Sequence, residues 1–259
     1  MTNNFDTLLQ KFEKIRRMGW IKSLRRGPTG IGYTFETLIG KNEDALCYPD
    51  YNGIEIKTHR SGSASYIALF NYNPIGESSY ELKRLFTNYS YIHPKNKNVR
   101  ALNAEVFCNY MKDVGTNYKF SLKVADSEQK IYLLVFDKLG ILIEKKAYWT
   151  FETLREKLYK KMQYLAYVEA DSRYINGSEY FRYTKINFYT LKNFDVFIRL
   201  VRSAKIKVSL LISGSLKDLE NINSHGASFS IKKDSLCLLF DLVGQTPGAE
   251  EQLGGLHVQ

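Results

Sequence analysis

The chain has 259 residues, 44% hydrophobic and 25% charged, a balance that supports a packed core and excludes a disordered, collagen-like or low-complexity polymer. Its 37 Lys and Arg against 27 Asp and Glu leave a formal charge of +10, so its field attracts polyanions, either nucleic acid or acidic lipid. Cys47, Cys108 and Cys237 are dispersed and lack C-x-x-C spacing, which supports neither a disulfide framework nor a zinc site.

Residues 1–4 carry no basic-then-apolar leader, and no apolar run approaches the roughly 18 residues of a membrane span. The expectation is a soluble, cytoplasmic protein without membrane contact. Phe5, Leu8, Leu9, Phe12 and Ile15 follow the i, i+3, i+4, i+7 spacing of an amphipathic helix over 5–18. Its end is basic and leads through Lys22, Arg25 and Arg26 into Gly27-Pro28-Thr29-Gly30-Ile31-Gly32. Thr34 is then placed to cap a second helix carrying Phe35, Leu38 and Ile39, with Glu36 in its first turns.

From Gly53 to His59 the sequence alternates, Ile54 and Ile56 on one face, Glu55, Lys57 and His59 on the other. That pattern predicts a strand. Further strands are predicted at 65–70, 118–124, 130–136, 140–145, 163–170, 179–186, 206–213 and 227–232, with helices near 151–162 and 191–203. Residues 71–116, rich in Asn, Tyr and Lys, read as loops with a short helix around Tyr80–Leu85. The class is mixed α/β, and the length fits two lobes around a cleft. Residues 244–259 lose the basic, aromatic character of the rest and read as a disordered tail or a remnant outside the fold.

Phosphodiester hydrolysis needs hard oxygen ligands for one or two divalent cations and a cationic group beside the attacking water. Asp50, Glu55 and Lys57 supply those types: Glu55 and Lys57 share a strand face, and Asp50 enters from the preceding turn. Ile54 and Ile56 anchor the same strand in the core. A solvated strand with a Glu–Lys surface pair has the same spacing, so the pattern by itself leaves both readings open.

Gly27-Pro28-Thr29-Gly30-Ile31-Gly32-Tyr33-Thr34-Phe35-Glu36, then Pro49-Asp50, then Gly53-Ile54-Glu55-Ile56-Lys57-Thr58-His59-Arg60, resembles the N-terminal signature of the MvaI/BcnI restriction endonucleases. That family is related to the MutH mismatch-repair nickase. The likeness is dense over 20–60, looser through Val135-Phe136-Asp137-Lys138 and Tyr148-Trp149-Thr150-Phe151, and returns at His225-Gly226-Ala227-Ser228-Phe229. It implies a restriction-endonuclease-like PD-(D/E)xK core with a mixed sheet and a DNA-binding cleft between two lobes. Residues 1–150 would form the catalytic lobe and 151–243 the recognition lobe.

The resemblance also implies a monomer that cuts double-stranded DNA with Mg²⁺ to leave 5′-phosphates, alongside a cognate DNA methyltransferase. By the same resemblance Asp50 and Glu55 are metal ligands, Lys57 orients and helps deprotonate water, and Glu36 is the supporting carboxylate. A MutH-like nickase shares this chemistry, and a DNA-binding module without catalysis shares the basic surface.

For DNA contact, Lys22, Arg25 and Arg26 are candidates for phosphates, as are Thr29 and Gly30 in the glycine-rich loop, where backbone amides can approach an anion. His59 and Arg60 end the catalytic strand and are further candidates. His225 lies where relatives carry Asp-His-Gly followed by an Arg. Here the chain reads Ser224-His225-Gly226, with Ser230 at the Arg position. Because Arg is the usual bidentate reader of guanine, a relative's target sequence does not carry over unchanged.

Overall fold

The computed structural model describes residues 2–41, 48–63 and 66–246. In chain order its elements begin α1 (Thr2–Arg17), β1 (Ile21–Lys22), α2 (Gly30–Leu38), β2 (Glu55–Arg60), β3 (Tyr66–Asn71), α3 (Glu81–Tyr89), β4 (Tyr91–His93), β5 (Asn96–Val106) and β6 (Lys112–Val114). There follow β7 (Tyr118–Ala125), β8 (Lys130–Asp137), β9 (Leu142–Glu144), β10 (Tyr148–Thr150), α4 (Phe151–Met162), β11 (Tyr164–Ile175) and β12 (Ser178–Leu191). The chain closes with α5 (Phe194–Arg202), β13 (Ile206–Ser215), β14 (Asp218–Lys232), a 3-10 turn (Lys233–Ser235), α6 (Leu236–Leu239) and β15 (Phe240–Gln245).

These elements form two compact units, neither continuous in sequence. The first takes its described residues from 1–64, 160–191 and 240–259, and the second from 65–159 and 192–239. A single cut near residue 150 therefore does not describe the chain.

In the first unit, β1, β12, β11 and β2 form a sheet in that order, with β15 also pairing β12. The β2–β11 pair is parallel and the others antiparallel, so the expected mixed sheet is present. Helices α1 and α2 bury Leu8, Phe12, Ile15, Ile31 and Phe35 with Ile54 and Ile56 at the start of β2 and Val168, Phe181 and Tyr183 of the central strands. Ile54 and Ile56 thus anchor β2 as the alternation predicts. Truncating a fully buried aromatic such as Phe12 typically costs about 3–5 kcal/mol, because a cavity is added to the lost transfer energy.

The second unit holds two antiparallel sheets, one ordered β3-β14-β13-β5-β4 and the other β10-β8-β7-β6 with β9 on β8. Phe229 of β14 stacks on Phe70 at 5.1 Å and meets the edge of Trp149 at 5.4 Å. Buried Trp149 satisfies its indole N–H on the Tyr72 carbonyl at 2.8 Å, as a buried indole requires.

Three further expectations are corrected. Thr34 does not cap α2: the helix starts at Gly30 after Thr29, and the buried Thr34 hydroxyl accepts from the Leu24 N–H at 3.0 Å. The stretch 71–116 contains β5, an 11-residue strand between β4 and β13. Its Asn- and Lys-rich start hides the alternation; only Ala101, Leu102, Ala104 and Val106 are buried, and backbone pairing on both sides makes the strand. The expected tail begins too early, since Gly244 and Gln245 pair with β12 and Thr246 donates its N–H to the Ile186 carbonyl. Residues 247–259, and Cys47, lie outside the described residues.

Candidate active site

The site starts from a turn that the sequence writes as Asn52-Gly53. Both residues have positive φ, 44° and 87°, and Tyr51 and Ile54 exchange both backbone hydrogen bonds at 2.8–2.9 Å. This is the geometry of a tight turn with two left-handed central residues, which Asn-Gly adopts at least cost. Asn4 of α1 braces it through the Asn52 carbonyl at 3.1 Å. The turn folds Asp50 back along β2, where its Oδ2 accepts the Ile56 N–H at 2.9 Å.

On β2 itself, Glu55 and Lys57 share a face as the period of two requires. Lys57 Nζ lies 2.5 Å from Glu55 Oε1. Glu55 is only 1% exposed, so the solvated-strand reading does not describe it. Glu36 comes from α2, which packs on β2 at a glycine: a Cβ on Gly32 would sit 3.2 Å from Thr58 Oγ1 and 3.6 Å from Glu36 Oε1. The missing side chain lets the helix bring Glu36 to the strand.

The three carboxylates act on one another electrostatically. Burial holds the Glu55 carboxyl above its ordinary range; Lys57 pulls it down, Asp50 pushes it up, and Lys161 pulls it down. Burial likewise raises Glu36, with Asp50 and Glu55 adding repulsion and Lys41 and Lys57 opposing it. Carboxylates that repel one another make a candidate place for a cation.

Among the described residues no group of three His, Cys, Asp or Glu side chains forms a ready metal cage. The donor set nevertheless fits a hard cation. Glu55 Oε2 is buried with no hydrogen-bond partner, a state that costs free energy unless something satisfies it. Mg²⁺ is commonly held by one or two carboxylates, with water and phosphate oxygens completing its octahedron. Asp50 and Glu55 are the candidates for those carboxylates.

A depression of about 360 Å³ is lined by Arg25, Thr29, Tyr33, Glu36 and Lys57, among others, so two phosphate-contact candidates share it with two catalytic candidates. Arg25 lies over the Tyr33 ring at 3.9 Å. Exposed Lys22 and Arg26 line a neighbouring cleft of about 420 Å³ with Arg25 and Tyr174. Thr29 is exposed, whereas Gly30 is buried and its N–H is spent on the Gly27 carbonyl at 3.1 Å. A glycine is needed there because a Cβ would stand 2.4 Å from the Arg25 carbonyl oxygen.

Arg60 is committed elsewhere: it grips Glu179 bidentately at 2.8 and 2.9 Å and donates to the Pro28 carbonyl at 3.1 Å, pinning the loop before α2. The His59 ring lies 5.9 Å from that of Tyr167. In the second unit, His225 is exposed on β14 at a register shift opposite Leu210/Ile212. Gly226 there has φ 77°, and Ala227 N–H is held by Asn73 Oδ1 at 3.0 Å. Bulges of this kind re-aim side chains. Ser230 is buried in the sheet.

Two lysines at the site were not among the sequence candidates. Lys41 Nζ lies 2.5 Å from Asp50 Oδ1, and Lys161 Nζ lies 3.5 Å from Glu55 Oε1. No local motif marks either one. Lys161 ends a helix remote in sequence and reaches Glu55 only through the parallel β2–β11 pairing that follows.

The sequence matches the MvaI/BcnI restriction endonuclease family over residues 9–240. No curated protein matches it. Among solved structures it is similar to restriction endonuclease MvaI in complex with its cognate DNA substrate, at 30% identity and a TM-score of 0.85, covering 94% of this chain and 98% of that one. It is also similar to MvaI in the absence of DNA, at the same identity and coverage and a TM-score of 0.59.

Proposed function

The chain belongs to the MvaI/BcnI restriction endonuclease family, and on that premise we propose a type II enzyme that hydrolyses both strands of a short duplex DNA site with Mg²⁺, leaving 5′-phosphate ends. The observation that carries this reading is the buried Glu55, sharing a strand face with Lys57 and electrostatically coupled to Asp50 and Glu36. The relative bound to its cognate DNA supports duplex DNA as the substrate. The enzyme acts as a monomer in the cytoplasm, where a methyltransferase that modifies the same site shields the cell's own DNA from it.

In this reading Asp50 and Glu55 hold the cation, which when bound polarises the scissile phosphate and lowers the pKa of a water. Lys57 positions the attacking water and takes part in its deprotonation. Glu36 orients the groups around it. Asp50 is kept aimed at the site by the Ile56 N–H, and Arg25 and Thr29 steady the backbone phosphates in the adjoining depression.

Digestion of a sequenced plasmid with Mg²⁺, followed by run-off sequencing of the ends, tests the proposal. Discrete fragments with 5′-phosphates at a recurring short sequence are expected, with Mn²⁺ substituting and Ca²⁺ allowing binding but little turnover, because its looser coordination misplaces the water. Undiminished cleavage in EDTA, or sequence-independent degradation, defeats it.

A further inference from the structure

Each carboxylate assigned to the cation already carries an ammonium group. Lys57 belongs to the catalytic motif, but Lys41 and Lys161 do not. Lys41 is 2.5 Å from Asp50 Oδ1. Lys161 shares Glu55 Oε1 with Lys57, at 3.5 and 2.5 Å. Neither is a freely waving surface lysine: their side chains are 13% and 28% exposed, and the adjacent Lys160 ammonium sits 4.3 Å from the Tyr48 ring, bracing the last turn of α4.

Three carboxylates, Glu36, Asp50 and Glu55, are thus matched by three ammonium groups, Lys41, Lys57 and Lys161. All three ammonium groups lie on Asp50 Oδ1 or Glu55 Oε1, one oxygen of each carboxylate assigned to the cation. A divalent ion entering this patch meets displaced or repelling lysines and must shed tightly held water. It leaves an uncompensated charge in a partly buried place. A DNA phosphate would bring the missing negative charge and further oxygen ligands together.

We propose that Lys41 and Lys161 are built-in counter-ions that hold divalent cations off the DNA-free protein, so that the centre loads only when a phosphate is present. This rests on Asp50 and Glu55 being the metal ligands. Both lysines are positioning residues, acting through the carboxylates.

The test is Mn²⁺ binding to the full chain without DNA, read as loss of the free-ion EPR signal in mildly alkaline buffer. The proteins compared are wild type, Lys161→Met, Lys41→Met and the double variant Lys161→Met/Asp50→Asn, each verified as folded by its circular dichroism melt. Removing a unit positive charge within a few ångströms of the ion should tighten Mn²⁺ binding by at least about fivefold in each single variant. Wild-type binding too weak to detect, beside measurable binding in either lysine variant, supports the proposal equally. Unchanged or weaker binding in both lysine variants, or no detectable binding in any, overturns it. If Asp50→Asn leaves the Mn²⁺ bound by Lys161→Met unaffected, the failure lies instead in the assignment of Asp50 as a ligand. Because Lys41 follows α2 and Lys161 lies near the end of α4, a folding defect in one variant leaves the other to decide.

Discussion

At the residue scale, Asp50→Ala, Glu55→Ala and Lys57→Ala should each abolish cleavage while DNA binding persists, because they remove cation or water activation rather than backbone contacts. Glu36→Ala should give a severe but partial loss. Plasmid cleavage beside a gel-shift measurement decides this, and near-normal turnover removes that residue from the site. A second buried network lies in the other unit. Arg84 donates to both Glu81 and Glu144, whose side chains are 0% and 8% exposed. Burial alone would raise the Glu144 carboxyl, but hydrogen bonds from Arg84 and Tyr89 outweigh it and hold it below its ordinary range. A depressed acid contributes stability above its unfolded value, near 4.3, and loses it as pH falls through the folded value. Urea unfolding of the wild type should therefore show stability falling in that acid window. Arg84→Met should cost about 3–5 kcal/mol at neutral pH by stranding two carboxylates, and its stability should rise on mild acidification. An unchanged acid profile in the variant would show that Arg84 is not what depresses Glu144.

At the element scale, the loop from Lys22 to Gly30 adjoins the candidate site, where Arg25, Pro28 and Thr29 line a depression with Glu36 and Lys57. A Cβ at Gly30 would press 2.4 Å from the Arg25 carbonyl oxygen and 2.6 Å from Ser23 Oγ, and the backbone oxygen cannot swing away as a side chain can. Gly30→Ala should destabilise by about 1–3 kcal/mol, the usual cost of overpacking, and lower cleavage by shifting the loop; a neutral melting temperature would refute the close approach. Replacing Lys22, Arg25 and Arg26 together should weaken binding to every sequence alike and reduce the salt slope by roughly 0.9 per lost phosphate contact. Isotherms at several salt concentrations measure it, and an unaltered slope would put those charges off the DNA. The strand and turn of this segment were legible beforehand, since Asn52-Gly53 and the alternation from Ile54 to Lys57 are local signals. Strand β5 was not legible, because a partly polar strand is fixed by neighbours on both sides, and its neighbour β13 lies far along the sequence.

At the scale of the whole molecule, specificity is expected to reside in the second unit, with His225 reading a base edge from the bulge at Gly226. His225→Ala should cost about 1–3 kcal/mol on the cleavable duplex and little on a scrambled one; equal losses on both would make the histidine structural or backbone-directed. The sequence by itself determined the family, the mixed α/β class, and the site's motif from Asp50 to Lys57, because those depend on residue type and short-range spacing. Only the tertiary structure decided which charges join that motif. Lys161 meets Glu55 through a helix end and a parallel strand pair, and Lys41 meets Asp50 across the segment between them. Arg60 is gripped by Glu179, distant in sequence and two strands away in the same sheet. The units, too, are assembled from separated stretches, so that β15 returns to pair with β12. Such pairings follow from which apolar faces are buried together, a free-energy balance over the whole chain that no local window contains.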